Sequence, residues 1–91
     1  MILLNYKEGE KNMKYDSFNK AVGDYLLEYR QKHNLTQQQM ADMIGKSKDW
    51  YREIERGRNS LLFHDAGPLC EALGIDISEL GRYAREHSKR T

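Results

Sequence analysis

The stretch Leu35-Thr36-Gln37-Gln38-Gln39-Met40-Ala41-Asp42-Met43-Ile44-Gly45-Lys46-Ser47-Lys48-Asp49-Trp50-Tyr51-Arg52-Glu53-Ile54-Glu55-Arg56-Gly57 decides the fold. Thr36 with Gln39 fits a capping box, in which each side chain satisfies the other residue's free backbone N–H. Met40, Ala41, Met43 and Ile44 then supply a buried side. Gly45 ends this helix, since the exit needs a residue at ease with positive φ. Ser47 caps another helix at once, Tyr51 and Ile54 face inward, and Gly57 stops it. The spacing predicts two short helices, at about 36–44 and 48–56, joined by a tight turn.

Working outward, Phe18, Val22, Leu26 and Tyr29 form one apolar stripe and predict a helix over 17–33, with Asn34 as a left-handed exit. Beyond Gly57, Arg58-Asn59-Ser60 reads as a polar loop, and Leu61, Leu62 and Phe63 return to the core. A fourth helix is expected from Asp65 to residue 73, which leaves Pro68 in the first turn, where it is tolerated. A fifth, over 78–87, carries Leu80, Tyr83 and Ala84. Residues 1–13 read as a flexible N-terminal extension, with a short strand or clip over 1–6 as the alternative. Residues 14–88 form one domain, and 89–91 a tail. No strand pattern appears in 14–88, so the expected class is all-α, a compact five-helix domain.

The 91 residues suit a single small domain. No apolar run approaches a membrane span, and the opening Met1-Ile2-Leu3-Leu4 is too short for a signal-peptide core. The lone Cys70 cannot form an internal disulfide, which points to a reducing cytoplasm. The net charge is only +1. Yet residues 63–81 hold four acids (Asp65, Glu71, Asp76, Glu79) and no Lys or Arg, which allows a positive face elsewhere. His33, His64 and His87 lack the spacing of a zinc site, so no metal is expected. His64 and Cys70 are poorly placed to face each other on one helix, so no catalytic residue and no cofactor is expected either.

The segment quoted above, with Ile54-Glu55-Arg56-Gly57-Arg58-Asn59 and Ala72-Leu73-Gly74-Ile75, resembles the phage-repressor and Cro type of helix-turn-helix protein, the XRE family. The resemblance spans roughly 21–81. It departs at Leu61, where the family often has Pro, and at Gly67-Pro68. It implies a five-helix repressor-like fold, double-stranded DNA as partner, and a transcriptional regulator, commonly dimeric, that reads the major groove with its third helix.

On that helix Lys48, Asp49, Arg52 and Glu53 point away from Tyr51 and Ile54. By resemblance Lys48, Asp49 and Glu53 are base-reading positions, with Arg52 beside them. The chemistry suits the role: Lys and Arg donate to guanine, while Asp and Glu accept from cytosine N4. Phosphate contacts are expected from Thr36 and Gln37 at the start of the second helix. Lys46, Trp50, Arg56, Arg58, Asn59 and Ser60, at and near the ends of the third, complete that set. Arg30 and Glu55 resemble a structural ion pair of the family. A homodimer contact through Leu80 and Tyr83 on the fifth helix is expected by the same analogy. Against this stands a protein-interaction adaptor on the same scaffold, favoured by Asp49, Glu53, Trp50 and the near-zero net charge. A protein partner therefore stays open.

Overall fold

Among the described residues five helices follow one another: α1 (Glu8–Lys32), α2 (Gln37–Asp42), α3 (Lys48–Glu55), α4 (Phe63–Leu73) and α5 (Ile77–Ser88). The computed structural model describes residues 8–88, with side chains from Ser17 onward. Among the described residues there is no strand. The strand or clip considered for residues 1–6, and the tail at 89–91, lie outside them.

Local chemistry sets most boundaries. Thr36 Oγ1 accepts the Gln39 N–H at 3.0 Å and Gln39 Oε1 accepts the Thr36 N–H at 2.8 Å, which completes the capping box. Ser47 Oγ accepts the Trp50 N–H at 3.1 Å at the head of α3. The first four helices all end alike. At each end a residue in the left-handed region (Asn34, Gly45, Gly57 and Gly74) donates its N–H three residues back, and the next N–H reaches five residues back.

Two boundaries differ from expectation. α1 starts at Glu8 rather than 17. The residues between are mostly good helix formers, and the only strong breaker, Gly9, sits in the first turn. α4 starts at Phe63 with Leu62 as its cap residue and no side-chain cap hydrogen bond. Asp65 is therefore not the cap. It is buried in the first turn, and Pro68 falls inside the helix. Pro68 takes away the N–H that the His64 carbonyl would accept, but the two residues share an exposed face where water can replace it.

Each helix sends side chains into one core: Leu26 from α1, Met40 and Ala41 from α2, Tyr51 and Ile54 from α3, Leu69 and Cys70 from α4, Leu80 and Ala84 from α5. Four expected core residues stay outside it. Phe18, Met43, Leu62 and Phe63 are exposed by 40%, 38%, 53% and 78%. The earlier start of α4 explains Phe63. Helical side chains lean toward the N-terminus, so a first-turn ring overhangs the edge of the core.

Two glycines let α3 lie directly on α1. A Cβ on Gly23 would stand 2.5 Å from the Ile54 carbonyl oxygen, and one on Gly57 would stand 2.8 Å from Lys20 Cα. The obstacles are backbone atoms, so they cannot turn aside. Gly23→Ala should therefore push α3 off α1 and destabilise the fold by about 1–3 kcal/mol. Chemical denaturation of the two proteins measures this, and equal midpoints would contradict the contact.

Candidate nucleic-acid interface

The base of α3 is fixed by one carboxylate. Glu55 is 6% exposed and closes a two-pronged pair with Arg30: Nε donates to Oε2 at 2.6 Å and Nη2 to Oε1 at 3.2 Å. Arg30 Nη1 also donates to the Leu35 carbonyl at 3.1 Å, just ahead of α2. Gln37 Nε2 donates to Glu55 Oε1 at 3.0 Å. One buried acid on α3 thus gathers α1, the α1–α2 turn and α2. Burial alone would raise the Glu55 pKa, but the hydrogen bonds from Arg30 and Gln37 outweigh it and hold the carboxyl below its ordinary range.

The outer face of α3 carries the four expected base-reading residues. Lys48 and Asp49 are exposed, while Arg52 and Glu53 are half-buried. Both acids already have cationic partners. Arg52 Nη2 lies 2.8 Å from Asp49 Oδ1. Arg58 forks onto Glu53, with Nε at 2.7 Å and Nη2 at 3.2 Å, and this pair draws the Glu53 pKa down and the Arg58 pKa up. Glu53 is thus held by Arg58, which the Gly57 turn brings back over α3. Arg52 Nε is buried and has no hydrogen-bond partner among the described residues.

The residues expected to meet phosphates fall into two groups. Arg56, Arg58 and Asn59 stand exposed at the C-terminal end of α3, and Thr36 at the head of α2. Arg58 is at the same time paired with Glu53 and the Thr36 hydroxyl with the Gln39 N–H, and the remaining four are also engaged within the chain. The Gln37 amide serves Glu55. Lys46 Nζ lies 3.6 Å from Asp65 Oδ1 and 5.4 Å from the Trp50 ring centre, and Trp50 packs on the core. Ser60 Oγ accepts from Asn19 at 3.2 Å. Sequence reasoning missed Asp65 as a partner of Lys46, because no local pattern marks an acid buried in the first turn of α4.

On α5, Leu80 is 4% exposed and belongs to the core. Tyr83 is half-buried, edge-on to Tyr25 with ring centres 5.2 Å apart. Neither stands out as an open contact surface.

A tight two-helix unit with a charged, outward-facing second helix is thus built into the fold. Residues 26–80 match the family profile described as helix-turn-helix. The chain belongs to that helix-turn-helix family. It is similar to the cryptic phage CTXphi transcriptional repressor RstR of Vibrio cholerae, with 35% identity over 69 residues. That alignment covers 75% of this chain, and the chain spans only 62% of the repressor's length. Two crystal structures of the clp gene regulator ClgR from Corynebacterium glutamicum superpose on this helix-turn-helix protein with TM-scores of 0.69 and 0.70. Each is 25% identical and covers 76% of this chain, and the matches take in 90% and 73% of the ClgR chains. The phage-repressor resemblance of the quoted segment agrees with these relatives.

Proposed function

We propose that this chain binds double-stranded DNA sequence-specifically and regulates transcription as a cytoplasmic repressor, with α3 in the major groove. One observation carries the reading: α3 is locked from behind by Glu55, Arg30 and Gln37, while its front presents Lys48, Asp49, Arg52 and Glu53. Rigid backing with a polar front is what base recognition requires. The RstR relative, a repressor by its description, supports the same reading.

Charge is arranged to suit. Around the reading face stand Lys48, Arg52, Arg56 and Arg58, with Asp49 and Glu53 as the only acids among them. Each acid is covered by an arginine, so the face meets a polyanion as a net cation. Paired acids are also what a selective reader needs: on meeting a cytosine N4 donor the carboxylate accepts from it, and the arginine is released to guanine or phosphate. Thr36, Arg56, Arg58 and Asn59 set the register on the backbone, with Gln37, Lys46, Trp50 and Ser60 in the supporting positions described above. Two copies on a symmetric operator would place their α3 helices about 34 Å apart.

Selection of bound duplexes from a random pool, repeated at two salt concentrations, tests this. An inverted repeat should be enriched, and affinity should fall with salt by a slope of about −0.9 for each phosphate neutralised. A pool that stays unenriched, with weak binding lost at modest salt, would overturn the specific-regulator reading and favour a protein partner for the α3 face.

A further inference from the structure

Tyr25, Glu28, Tyr29 and Lys32 follow one another at helical spacing down the last two turns of α1, and with His33 and with Tyr83 of α5 they line a recess of about 420 Å³. Its rings are held from behind. The Tyr29 hydroxyl donates to the Leu73 carbonyl at 2.7 Å, His33 stacks on Tyr29 with ring centres 4.0 Å apart, and Tyr25 and Tyr83 brace each other edge-on. We propose that this recess takes an arginine side chain from a partner protein, its guanidinium lying against the tyrosine rings and forking onto Glu28, with an acid of the partner on Lys32. The recess itself does not depend on the DNA reading; only its use on DNA rests on it.

Charge favours this occupant. Glu28 is exposed and has no hydrogen-bond or ion-pair partner among the described residues, whereas Asp24, one turn earlier, is taken by Lys20 at 2.6 Å. A carboxylate with both oxygens free accepts a guanidinium two-pronged. The flat rings suit the same group, since a guanidinium is weakly hydrated and stacks on aromatic faces, while an ammonium holds its water. Burial, and then neighbouring acids, push the Tyr25 and Tyr83 hydroxyls up; the acids are Glu79 and Asp76 for Tyr25, and Glu28 and Asp24 for Tyr83. The rings thus sit in a negative field. The negative end of the α1 dipole, which finishes here, adds to it. Lys32 is the one lysine or arginine on the lining, and it asks for an acid beside the arginine.

Depth and position point to a protein rather than a free small molecule. Glu28, Lys32 and His33 are exposed, so a small ligand in this open recess would bury too little of itself. A side chain carried by a partner needs only to anchor, because the rest of the partner adds contact around it. At roughly 100° per residue, the stripe of Tyr25, Glu28, Tyr29 and Lys32 lies about half a turn round α1 from Gly23 and Arg30, which meet α3. The recess therefore opens on the side of α1 away from α3 and stays clear when α3 lies on DNA. A duplex and a second protein can so be held together.

NMR titration of the full chain with the blocked peptide acetyl-Asp-Ala-Ala-Arg-amide tests this, with its citrulline analogue and ethylguanidinium as controls. The arginine peptide should move the ring resonances of Tyr25, Tyr29 and Tyr83, with a dissociation constant in the millimolar range expected of a single anchor. The neutral citrulline peptide should leave them in place, and ethylguanidinium should bind more weakly than the arginine peptide. Glu28→Gln and Tyr83→Leu should each weaken the peptide by about twofold to fivefold, the size of one exposed ion pair or cation–π contact. Glu28 has no partner in the fold to lose, so Glu28→Gln should melt as the wild type does, and both variants should bind the selected duplex with unchanged affinity. Rings that do not respond, rings that respond equally to citrulline, or Glu28→Gln binding as tightly as wild type would each overturn the site. Ethylguanidinium binding as tightly as the peptide would overturn the protein partner and give the recess to a small ligand. A peptide that binds the free protein and is displaced by the duplex would uphold the recess and overturn the placement of α3 on DNA.

Discussion

Arg30→Met should destabilise the fold by about 3–5 kcal/mol, because it leaves the Glu55 carboxylate buried without its cation. The Glu55 side chain is only 5% exposed and that of Arg30 17%, so water can do little to replace the lost partner. Gln37 would remain as a single neutral donor. The same substitution removes the hydrogen bond to the Leu35 carbonyl, which loosens the entry into α2. Urea unfolding at neutral pH measures the loss, and a change within about 0.5 kcal/mol, as at an ordinary surface site, would refute the account.

The pH dependence gives this prediction a second edge. In the wild type the Glu55 pKa is depressed below the ordinary carboxylate range. The ionised group therefore contributes stability that is fully present above the unfolded pKa and is lost as pH falls through the lower folded one. In Arg30→Met, burial is left as the dominant influence, and it raises the folded pKa above the unfolded one. Then the penalty is absent at low pH and grows as pH rises through the folded value. The gap between the two proteins should narrow on acidification through the carboxylate range. A gap that stays constant there would assign the loss to packing alone.

What the sequence disclosed, and what it hid, divides by range of interaction. Asn34, Gly45, Gly57 and Gly74 mark helix ends because the cause is local: a left-handed residue closing hydrogen bonds within one turn. Thr36, Gln39 and Ser47 mark helix starts for the same reason. The head of α4 was hidden because Leu62 makes no side-chain cap hydrogen bond, and Asp65 offered a more ordinary start. Phe63 reads as core in the sequence yet stands exposed, because hydrophobicity says nothing of whether a ring reaches past its neighbours. The outward face of α3 follows from the 3.6-residue period once Tyr51 and Ile54 are placed inside. The partners on that face do not. Gln37 finds Glu55 eighteen residues away, and Arg58 reaches Glu53 only because Gly57 turns the chain back. The ion pair of Arg30 and Glu55 came from family resemblance, since no periodicity links residues twenty-five apart.

Arg52→Ala should weaken specific DNA binding more than Lys48→Ala, although both remove one cation from the same face. Lys48 is exposed and has no ion-pair partner among the described residues, so its loss removes a base or phosphate contact worth about 1–3 kcal/mol. Arg52 has two further effects. It covers Asp49, whose carboxylate would otherwise face the polyanion alone. Its Nε is also buried without an acceptor, a cost of about 1–3 kcal/mol that is relieved when the guanidinium turns out to DNA. The double variant should lose roughly thirtyfold or more in affinity for the selected site, taking the lower end of each contact. Neither residue lies in the core, so the fold should persist, and circular dichroism melts check that. The deciding measurement is a cycle with Asp49→Ala. With Asp49 absent, Arg52→Ala loses its repulsive part and should cost less than it does in the wild type, with only the Nε contribution left to set it above Lys48→Ala. If Arg52→Ala costs the same with and without Asp49, the two side chains act independently on DNA, and the pair seen in the free protein has no part in recognition.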